Sequence, residues 1–127
     1  MTHLELAKRY FSAISAREDT RGYFCPDVTQ REFPNRLVPN GATRDLAALA
    51  AARERGLRAV ENEQYEIQSA LEQDDKLALE VIWSARLLVP LGRLGPGDTL
   101  RAHFGVFLKY RDGRILEQHN YDCFDPF

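Results

Sequence analysis

The sequence has few cysteines, no long apolar run and almost no net charge. Its 127 residues include only Cys25 and Cys123, and 17 Lys and Arg residues stand against 19 Asp and Glu residues. Two cysteines without Cys-x-x-Cys spacing indicate neither a disulfide framework nor a zinc knuckle. The small net charge provides no positive field that would attract phosphate groups, so nucleic acid is not expected as a partner.

Segments that would place the chain in or across a membrane are also missing. The longest apolar runs, such as Leu87 to Leu91, are far shorter than the roughly 20 apolar residues that a membrane helix needs. The first ten residues, MTHLELAKRY, carry charges throughout and lack the apolar core of a secretory signal. We therefore expect a cytoplasmic protein without a membrane partner, and the length predicts a single domain over residues 1–127.

Common catalytic motifs are absent as well. The sequence contains no glycine-rich phosphate loop, no His-Glu-x-x-His helix, no Gly-x-Ser-x-Gly elbow and no cluster of metal ligands. No metal or other cofactor is therefore expected. The chemistry that remains is the movement of protons by ordinary side chains.

Three helices are predicted in the first half of the chain. Thr2 and Glu5 have the spacing of a capping box, and apolar residues follow at helical spacing to about Arg17. A short helix is expected from Asp19 or Thr20 to Phe24, before Cys25-Pro26. A third is expected over 46–55, with Thr43 as its cap and Gly56 at its end.

Alternating apolar and polar residues predict strands in the second half. One short strand, Val28 to Phe33, precedes the third helix, and the later strands are Val60 to Leu71, 77–89, Leu100 to Tyr110 and Ile115 to Phe124. The stretch 90–98 is rich in glycine and proline and is expected to be a surface loop. This order indicates an α+β fold, in which about three helices pack on one face of a curved antiparallel sheet and leave a pocket between the two layers.

The last hairpin suggests a candidate site. Asp112-Gly113 is typical of a two-residue turn, and each step outward from it moves one residue along each strand. The resulting pairs share one face of the sheet: His103 with Asp122, Gly105 with Asn120, and Phe107 with Gln118. A carboxylate opposite a histidine prepares a proton-transfer group, and the missing side chain of Gly105 leaves space beside it.

The same pairs have a plainer interpretation. A His–Asp pair at the end of a sheet is also a common structural hydrogen bond, and glycine in a strand often marks a bulge. If the register of the hairpin differs by one residue, His103 lies opposite Tyr121 or Cys123 and no longer pairs with Asp122.

Further candidates come from other elements. Tyr10 lies near the apolar stripe of the first helix, where it either joins the core or points its hydroxyl into the pocket. Glu32 lies at a strand end and is either solvated or an acid/base group. We therefore expect Asp122, His103 and Tyr10 to be catalytic. The residues expected to bind substrate are Asn120, Gln118, Gly105, Phe107, Glu32 and Trp83.

Several short segments resemble one protein superfamily. They are Arg9-Tyr10-Phe11-Ser12-Ala13-Ile14, Cys25-Pro26-Asp27-Val28, Asp112-Gly113-Arg114-Ile115 and Asn120-Tyr121-Asp122-Cys123-Phe124. In these segments and in element order, the chain is similar to the SnoaL-like branch of the nuclear transport factor 2-like superfamily, which includes polyketide cyclases, ketosteroid isomerase and dehydratases. The resemblance implies a cone-shaped fold, an apolar pocket opening at one end and frequent homodimers.

The resemblance also implies roles for particular residues. Tyr10 matches the tyrosine that binds a developing oxyanion in the isomerase members. The aspartate that serves as their base precedes a proline, but Phe33 precedes Pro34 here, and their second oxyanion donor falls on Gly105. These two departures argue against ketosteroid isomerase activity itself. Asp122 matches the acid/base aspartate that cyclase members carry on the last strand.

Two hypotheses of function remain at this stage. In the first, Asp122, tuned by His103, moves a proton on a small apolar substrate that carries a carbonyl group, while Tyr10 or Asn120 donates a hydrogen bond to the oxyanion. This describes an isomerase, cyclase or dehydratase without a cofactor. In the second, the chain is a ligand-binding or dimerisation module without catalysis. A homodimer is expected in either case.

Overall fold

Two α-helices cover one face of a six-stranded sheet in the computed structural model, which describes residues 1–127. The elements are α1 (His3–Ser15), a 3₁₀ turn (Arg21–Tyr23), β1 (Phe24–Glu32), β2 (Ala42–Arg44), α2 (Leu46–Ala59), β3 (Val60–Gln73), β4 (Lys76–Leu87), β5 (Thr99–Arg111) and β6 (Arg114–Phe124). The strand order across the sheet is β2-β1-β6-β5-β4-β3. The predicted α+β fold class is confirmed.

Neither α-helix has the length and apolar character needed to cross a membrane.

The sheet is mixed at one pair of strands. β3 to β6 form an antiparallel meander, and β2 pairs antiparallel with β1. β1 runs parallel to β6, however, which differs from the fully antiparallel sheet that was expected. A helix and four strands separate β1 from β6 along the chain, so no tight hairpin forces the two to run in opposite directions.

The helices differ from the prediction at their ends. α1 begins with the predicted capping box, in which the Glu5 backbone N–H donates to the Thr2 hydroxyl at 3.1 Å. α2 is capped by Asp45, which accepts from the Ala48 N–H at 2.9 Å, whereas Thr43 belongs to the short strand β2. The helix continues through Gly56 to Ala59, and the short second helix is the 3₁₀ turn.

The core lies between α1 and the inner face of the sheet, which is the face that both helices cover. The predicted apolar face of β4 is confirmed, with every second residue from Leu77 to Leu87 buried, whereas Val89 lies beyond the strand and is exposed. α1 contributes Ala7 and Phe11, which pack against the same cluster. The apolar stripe of α1 therefore packs on the middle of the sheet.

A β-bulge determines which side chains of β6 face the core. Next to the tight turn, Tyr110 pairs with Ile115, as the turn predicts. One step farther out Lys109 pairs with Glu117, so Leu116 is left without a partner. Because side chains alternate between the two faces, this extra residue exchanges the faces of all later residues of β6.

We expect two leucines at the sheet to differ sharply in their contribution to stability. Leu77 is 1% exposed and Leu71 is 79% exposed. Leu77→Ala removes buried methyl groups and leaves a cavity, so it should lower the free energy of unfolding by about 2–5 kcal/mol. Leu71→Ala should change it by less than about 0.5 kcal/mol. Urea denaturation followed by circular dichroism measures both values, and equal losses would contradict the assigned core.

Candidate active site

A cleft of about 900 Å³ opens between the two helices and one end of the sheet. This volume lies in the range of small-molecule sites, roughly 300–1,000 Å³. Its apolar wall includes Ile14 from α1, Leu46 and Leu49 from α2, and the ring of Tyr65 from β3. Its polar lining includes Tyr10, Gln30, Glu32, Arg44, Arg53 and Glu63. The cleft therefore combines an apolar wall with a few polar groups.

An ion pair between β1 and β2 forms one polar end of the cleft. The Arg44 Nη1 donates to Glu32 Oε1 at 2.8 Å and to Gln30 Oε1 at 2.9 Å. The second carboxylate oxygen of Glu32 accepts from Asn35 Nδ2 at 2.7 Å. Only 13% of the Arg44 side chain and 14% of the Glu32 side chain are exposed. Charge-assisted bonds to both oxygens stabilise Glu32 as a carboxylate.

Two amide side chains of β6 connect this ion pair to the core. Gln118 and Asn120 are buried because the bulge turns them inward. The Asn120 Oδ1 accepts from Gln118 Nε2 at 2.9 Å and from Gln30 Nε2 at 3.3 Å. A hydrogen-bonded chain therefore runs from β6 through Gln30 to Arg44.

Asp122 follows on the same inward face of β6. Burial and, to a smaller extent, the negative charge of Glu32 raise the pKa of its carboxyl group to about 7, although Asn120 and Arg44 oppose the shift. Its Oδ1 is buried and accepts no hydrogen bond within the chain. A carboxyl group with this pKa is present in both protonation states near neutral pH, as general acid/base catalysis requires.

Tyr10 brings a hydrogen-bond donor from α1 into the cleft. Burial raises the pKa of its phenol to about 12, with Gln118 and Arg53 opposing the shift. Burial also raises the pKa of Tyr65, which lines the cleft from β3. Both hydroxyls therefore stay protonated at physiological pH and are able to donate to an oxyanion.

A second ion pair holds the opposite side of the cleft together. The Arg53 Nη1 and the Glu63 Oε2 lie 3.2 Å apart. The other oxygen of Glu63 accepts from the Trp83 indole N–H at 3.3 Å. Trp83 was predicted to bind substrate, but it is buried in a second apolar cluster and does not line the cleft. Its contribution to the cleft is the hydrogen bond that it donates to Glu63.

The predicted pairing of His103 with Asp122 is wrong. The bulge moves the register by one residue, so that His103 lies opposite Cys123 and Asp122 lies opposite Phe104. His103 is exposed on the outer face of the sheet, which no helix covers. It is therefore separated from Asp122 by the sheet and cannot tune its carboxyl group through a hydrogen bond.

Gly105 and Phe107 share that outer face and are corrected with His103. Phe107 is 52% exposed and lies opposite His119. Gly105 lies opposite Tyr121, and a Cβ atom there would be 3.7 Å from the Tyr121 Cβ. Neither residue lines the cleft, so their predicted role in substrate binding does not hold.

The structure thus assembles part of the predicted set and adds residues that were missed. Tyr10 and Glu32 line the cleft, and Gln118, Asn120 and Asp122 lie beside it on the inner face. The missed residues are Gln30, Arg44, Arg53, Glu63 and Tyr65. Alternation along a strand places Gln30 on the same face as Glu32, and Glu63 on the same face as Tyr65, so these residues could have been found from the sequence. No local pattern indicates that Arg44 and Arg53 belong to the site. No group of three or more His, Cys, Asp or Glu side chains is arranged to hold a metal ion.

Solved structures share this fold. No protein-family model matches the sequence, and a comparison with curated proteins gives no match. The fold is similar to that of AclR from Streptomyces galilaeus, a candidate hydroxylase (TM-score 0.78, 20% identity, 97% of this chain and 79% of that chain). It is equally similar to that of IdmH from Streptomyces antibioticus, a candidate polyketide cyclase (TM-score 0.78, 17% identity, 94% of this chain and 90% of that chain).

A third neighbour carries the name of the branch that the sequence resembles. It is a candidate SnoaL-like polyketide cyclase from Jannaschia (TM-score 0.72, 12% identity, 94% of this chain and 83% of that chain). At sequence identities this low, the comparisons establish that the fold is shared and nothing more. The SnoaL-like fold of the nuclear transport factor 2-like superfamily, predicted from the resemblance, is confirmed.

The raised pKa of Asp122 predicts a pH dependence of stability. The folded protein binds a proton at Asp122 up to about pH 7, whereas the unfolded chain releases it near the ordinary value of 3.8. Stability should therefore fall as pH rises between these values and be level above them. Relative to Asp122→Asn, the parent should lose about 1.4 kcal/mol per pH unit at the steepest part.

Urea denaturation of the parent and of Asp122→Asn at pH 5, 6, 7 and 8 measures this difference. The Asn side chain keeps the shape but does not titrate, so any constant offset between the two proteins is irrelevant. A stability difference that stays the same at all four pH values would show that Asp122 ionises normally.

Proposed function

Given the SnoaL-like fold and the polar end of the cleft, we propose that this protein binds a small, largely apolar carbonyl compound and catalyses a cofactor-independent isomerisation, cyclisation or dehydration. The observation that carries the proposal is the pair of carboxyl groups at the cleft, Glu32 and Asp122. One of them is bound on both oxygens by donors. Burial raises the pKa of the other to about 7. A carboxylate held by donors beside a carboxyl group with a raised pKa is a combination typical of acid/base sites.

The cleft supplies what such a reaction needs. Removal of a proton from the carbon next to a carbonyl group creates negative charge on the oxygen, which requires a hydrogen-bond donor. Tyr10 lines the cleft and keeps its proton at physiological pH because its pKa is about 12. Asn120 is the alternative donor, but its side chain is already engaged. Its oxygen accepts from two amides, and its side chain forms a hydrogen bond with Asp122. Tyr10 is therefore the donor in this proposal.

The substrate class rests on the cleft and on its structural neighbours. The apolar wall formed by Ile14, Leu46 and Leu49 favours a hydrocarbon ring or chain. IdmH and the Jannaschia protein are candidate polyketide cyclases, which supports a polyketide-like carbonyl compound as ligand. AclR, by contrast, is named as a candidate hydroxylase.

Exchange of carbon-bound protons tests the proposed reaction class. 2-Tetralone is a suitable probe because it is a small apolar ketone with acidic protons next to its carbonyl group. In deuterated buffer, the protein should accelerate their replacement by deuterium in a saturable manner, measured by proton NMR. Tyr10→Phe removes the oxyanion donor and should slow the exchange by roughly 10²- to 10³-fold.

A blocked cleft provides the control. Leu49→Trp adds a large side chain at the apolar wall and should abolish both the exchange and the thermal stabilisation by the probe. Exchange that survives in Leu49→Trp would place the reaction elsewhere. Exchange by the parent that does not exceed the rate in buffer would contradict the proposed reaction class.

The outer face of the sheet favours a second role, as a dimerisation surface. Phe33 stacks on Tyr121 with ring centroids 4.3 Å apart, and Phe107 packs edge-on against Tyr121 at 5.8 Å. Phe107 is 52% and Tyr121 45% exposed, and no helix covers this face. A neighbouring groove of about 640 Å³ is lined by charges of both signs, Glu72, Lys76, Lys109 and Glu117. Exposed aromatic rings beside balanced charges fit a second copy of the chain in a two-fold dimer.

We expect Phe107→Glu to dissociate this homodimer. The substitution places a charge within the aromatic patch formed by Phe33, Phe107 and Tyr121, where like charges from two copies would approach each other. Leu88→Glu, at a residue that is 39% exposed beyond the end of β4, serves as the matched control and should leave the dimer intact. Sedimentation at micromolar concentration measures both, and a monomeric parent would contradict the proposed dimer.

A further inference from the structure

The two carboxyl groups at the cleft differ in their access to a ligand. Glu32 is part of the cleft lining, together with Gln30 and Arg44. Asp122 is not part of that lining, and its Oδ1 is buried without a hydrogen-bond partner. Both side chains lie on the inner face, because Glu32 pairs with Asn120 and Asp122 follows two residues later on β6. Asp122 is therefore a neighbour of Glu32 that lies beside the cleft lining rather than within it.

We propose that Glu32 is the group that takes a proton from the substrate, and that Asp122 acts through Glu32 as a protonated positioning residue. This inference rests on the proposed function and divides its two carboxyl groups between two roles. It differs from the role that the family resemblance implies, in which Asp122 itself handles the proton of the substrate.

The hydrogen bonds assign the charge to Glu32. Arg44 and Asn35 each donate to one oxygen of Glu32, at 2.8 and 2.7 Å, and donors of this kind stabilise the ionised form. Each oxygen keeps a second lone pair that is able to accept a proton. Glu32 is thus a carboxylate that is held in position and open to the cleft.

Of the two carboxyl groups, Asp122 is the one whose surroundings favour the protonated form. The ionisable groups that face it are Glu32 from β1, Arg44 from β2 and Tyr65 from β3. Arg44 already pairs with Glu32, so a second negative charge on Asp122 has no cation of its own. Two carboxylates that share one arginine resist simultaneous ionisation. Asp122 keeps the proton, because it has no cation of its own and its Oδ1 accepts no hydrogen bond.

The reaction step balances without any other reactant. A C–H bond next to the carbonyl group breaks, its proton goes to Glu32, and the electron pair forms a carbon–carbon double bond. The carbonyl π electrons move onto the oxygen, which accepts a hydrogen bond from Tyr10. Glu32 then returns the proton to the same carbon or to another carbon of the substrate. When Glu32 becomes neutral, its repulsion of a charge on Asp122 disappears, so protonation of Glu32 favours the ionised form of Asp122.

Two isosteric variants separate the roles. Glu32→Gln should lower the rate of 2-tetralone proton exchange by at least roughly 100-fold, which is the lower end of what a general base contributes. Asp122→Asn should retain the rate within about tenfold. Between pH 5 and 9 the exchange rate of the parent should change slope near neutral pH, and Asp122→Asn should remove this change of slope. A merely structural role of Asp122 would not remove this change of slope.

A second variant and a second measurement guard against misfolding. Glu32→Gln leaves Arg44 unpaired, so the double variant Glu32→Gln, Arg44→Gln, which removes both charges, should show the same loss with native circular dichroism. Carbon-13 NMR of the carboxyl groups should show Asp122 titrating near neutral pH in the parent and at lower pH in Glu32→Gln. This titration requires no catalytic activity.

Each outcome supports or overturns the division of roles. Loss of exchange in Asp122→Asn with retention in Glu32→Gln would overturn it and leave the proposed function in place. Titration of Asp122 near the ordinary value of 3.8 would overturn it whatever the exchange rates. Absence of exchange in the parent would overturn the proposed function, and this inference with it.

Discussion

The bulge at Leu116 is the constraint on which the polar side of the interior depends. Without this extra residue, the alternation of β6 would direct Glu117, His119 and Tyr121 toward the helices. With it, the inward side chains are Gln118, Asn120 and Asp122, and the rings of His119 and Tyr121 lie on the outer face. A single unpaired residue thus separates a polar inner surface from an aromatic outer surface. Both proposed functions of the chain depend on this separation.

The polar interior is stabilised by pairing rather than by solvent. Each buried charge at the cleft has a partner from a neighbouring element, Arg44 for Glu32 and Arg53 for Glu63. Asp122 is the exception, since its Oδ1 has no donor and its pKa is raised to about 7. Breaking a buried pair leaves an uncompensated charge, which is strongly destabilising. The site therefore combines well-supported charges with one carboxyl group that is held in an unfavourable environment, as is common where proton transfer occurs.

Local patterns in the sequence predicted most of the fold but not the register of the last hairpin. The capping box of α1, the apolar face of β4 and the turn at Asp112-Gly113 are signals that neighbouring residues carry, and each is confirmed. The bulge carries no comparable signal, because Leu116 resembles any other apolar strand residue. Since the pairing of His103 with Asp122 was derived by counting from the turn, one unpaired residue was enough to make it wrong.

The candidate site was predictable where its residues follow the periodicity of one element, as Tyr10 does on α1 and the polar residues of β6 do on their strand. Gln118, Asn120 and Asp122 were recognised as one face of β6, and Glu32 was recognised at the end of β1. Arg44 was not, since it reaches the cleft through the short strand β2, whose existence depends on pairing with β1. Ion pairs between elements distant in sequence arise from tertiary packing, which local patterns do not contain.

A crystal structure of the protein with bound 2-tetralone tests the central claim most directly, since that claim is that the cleft between the helices and the sheet is the active site. The account predicts electron density for the probe against Leu46 and Leu49, with its carbonyl oxygen within hydrogen-bond distance of the Tyr10 hydroxyl and the adjacent carbon facing Glu32. Density for the probe on the outer face of the sheet, with an empty cleft, would contradict it.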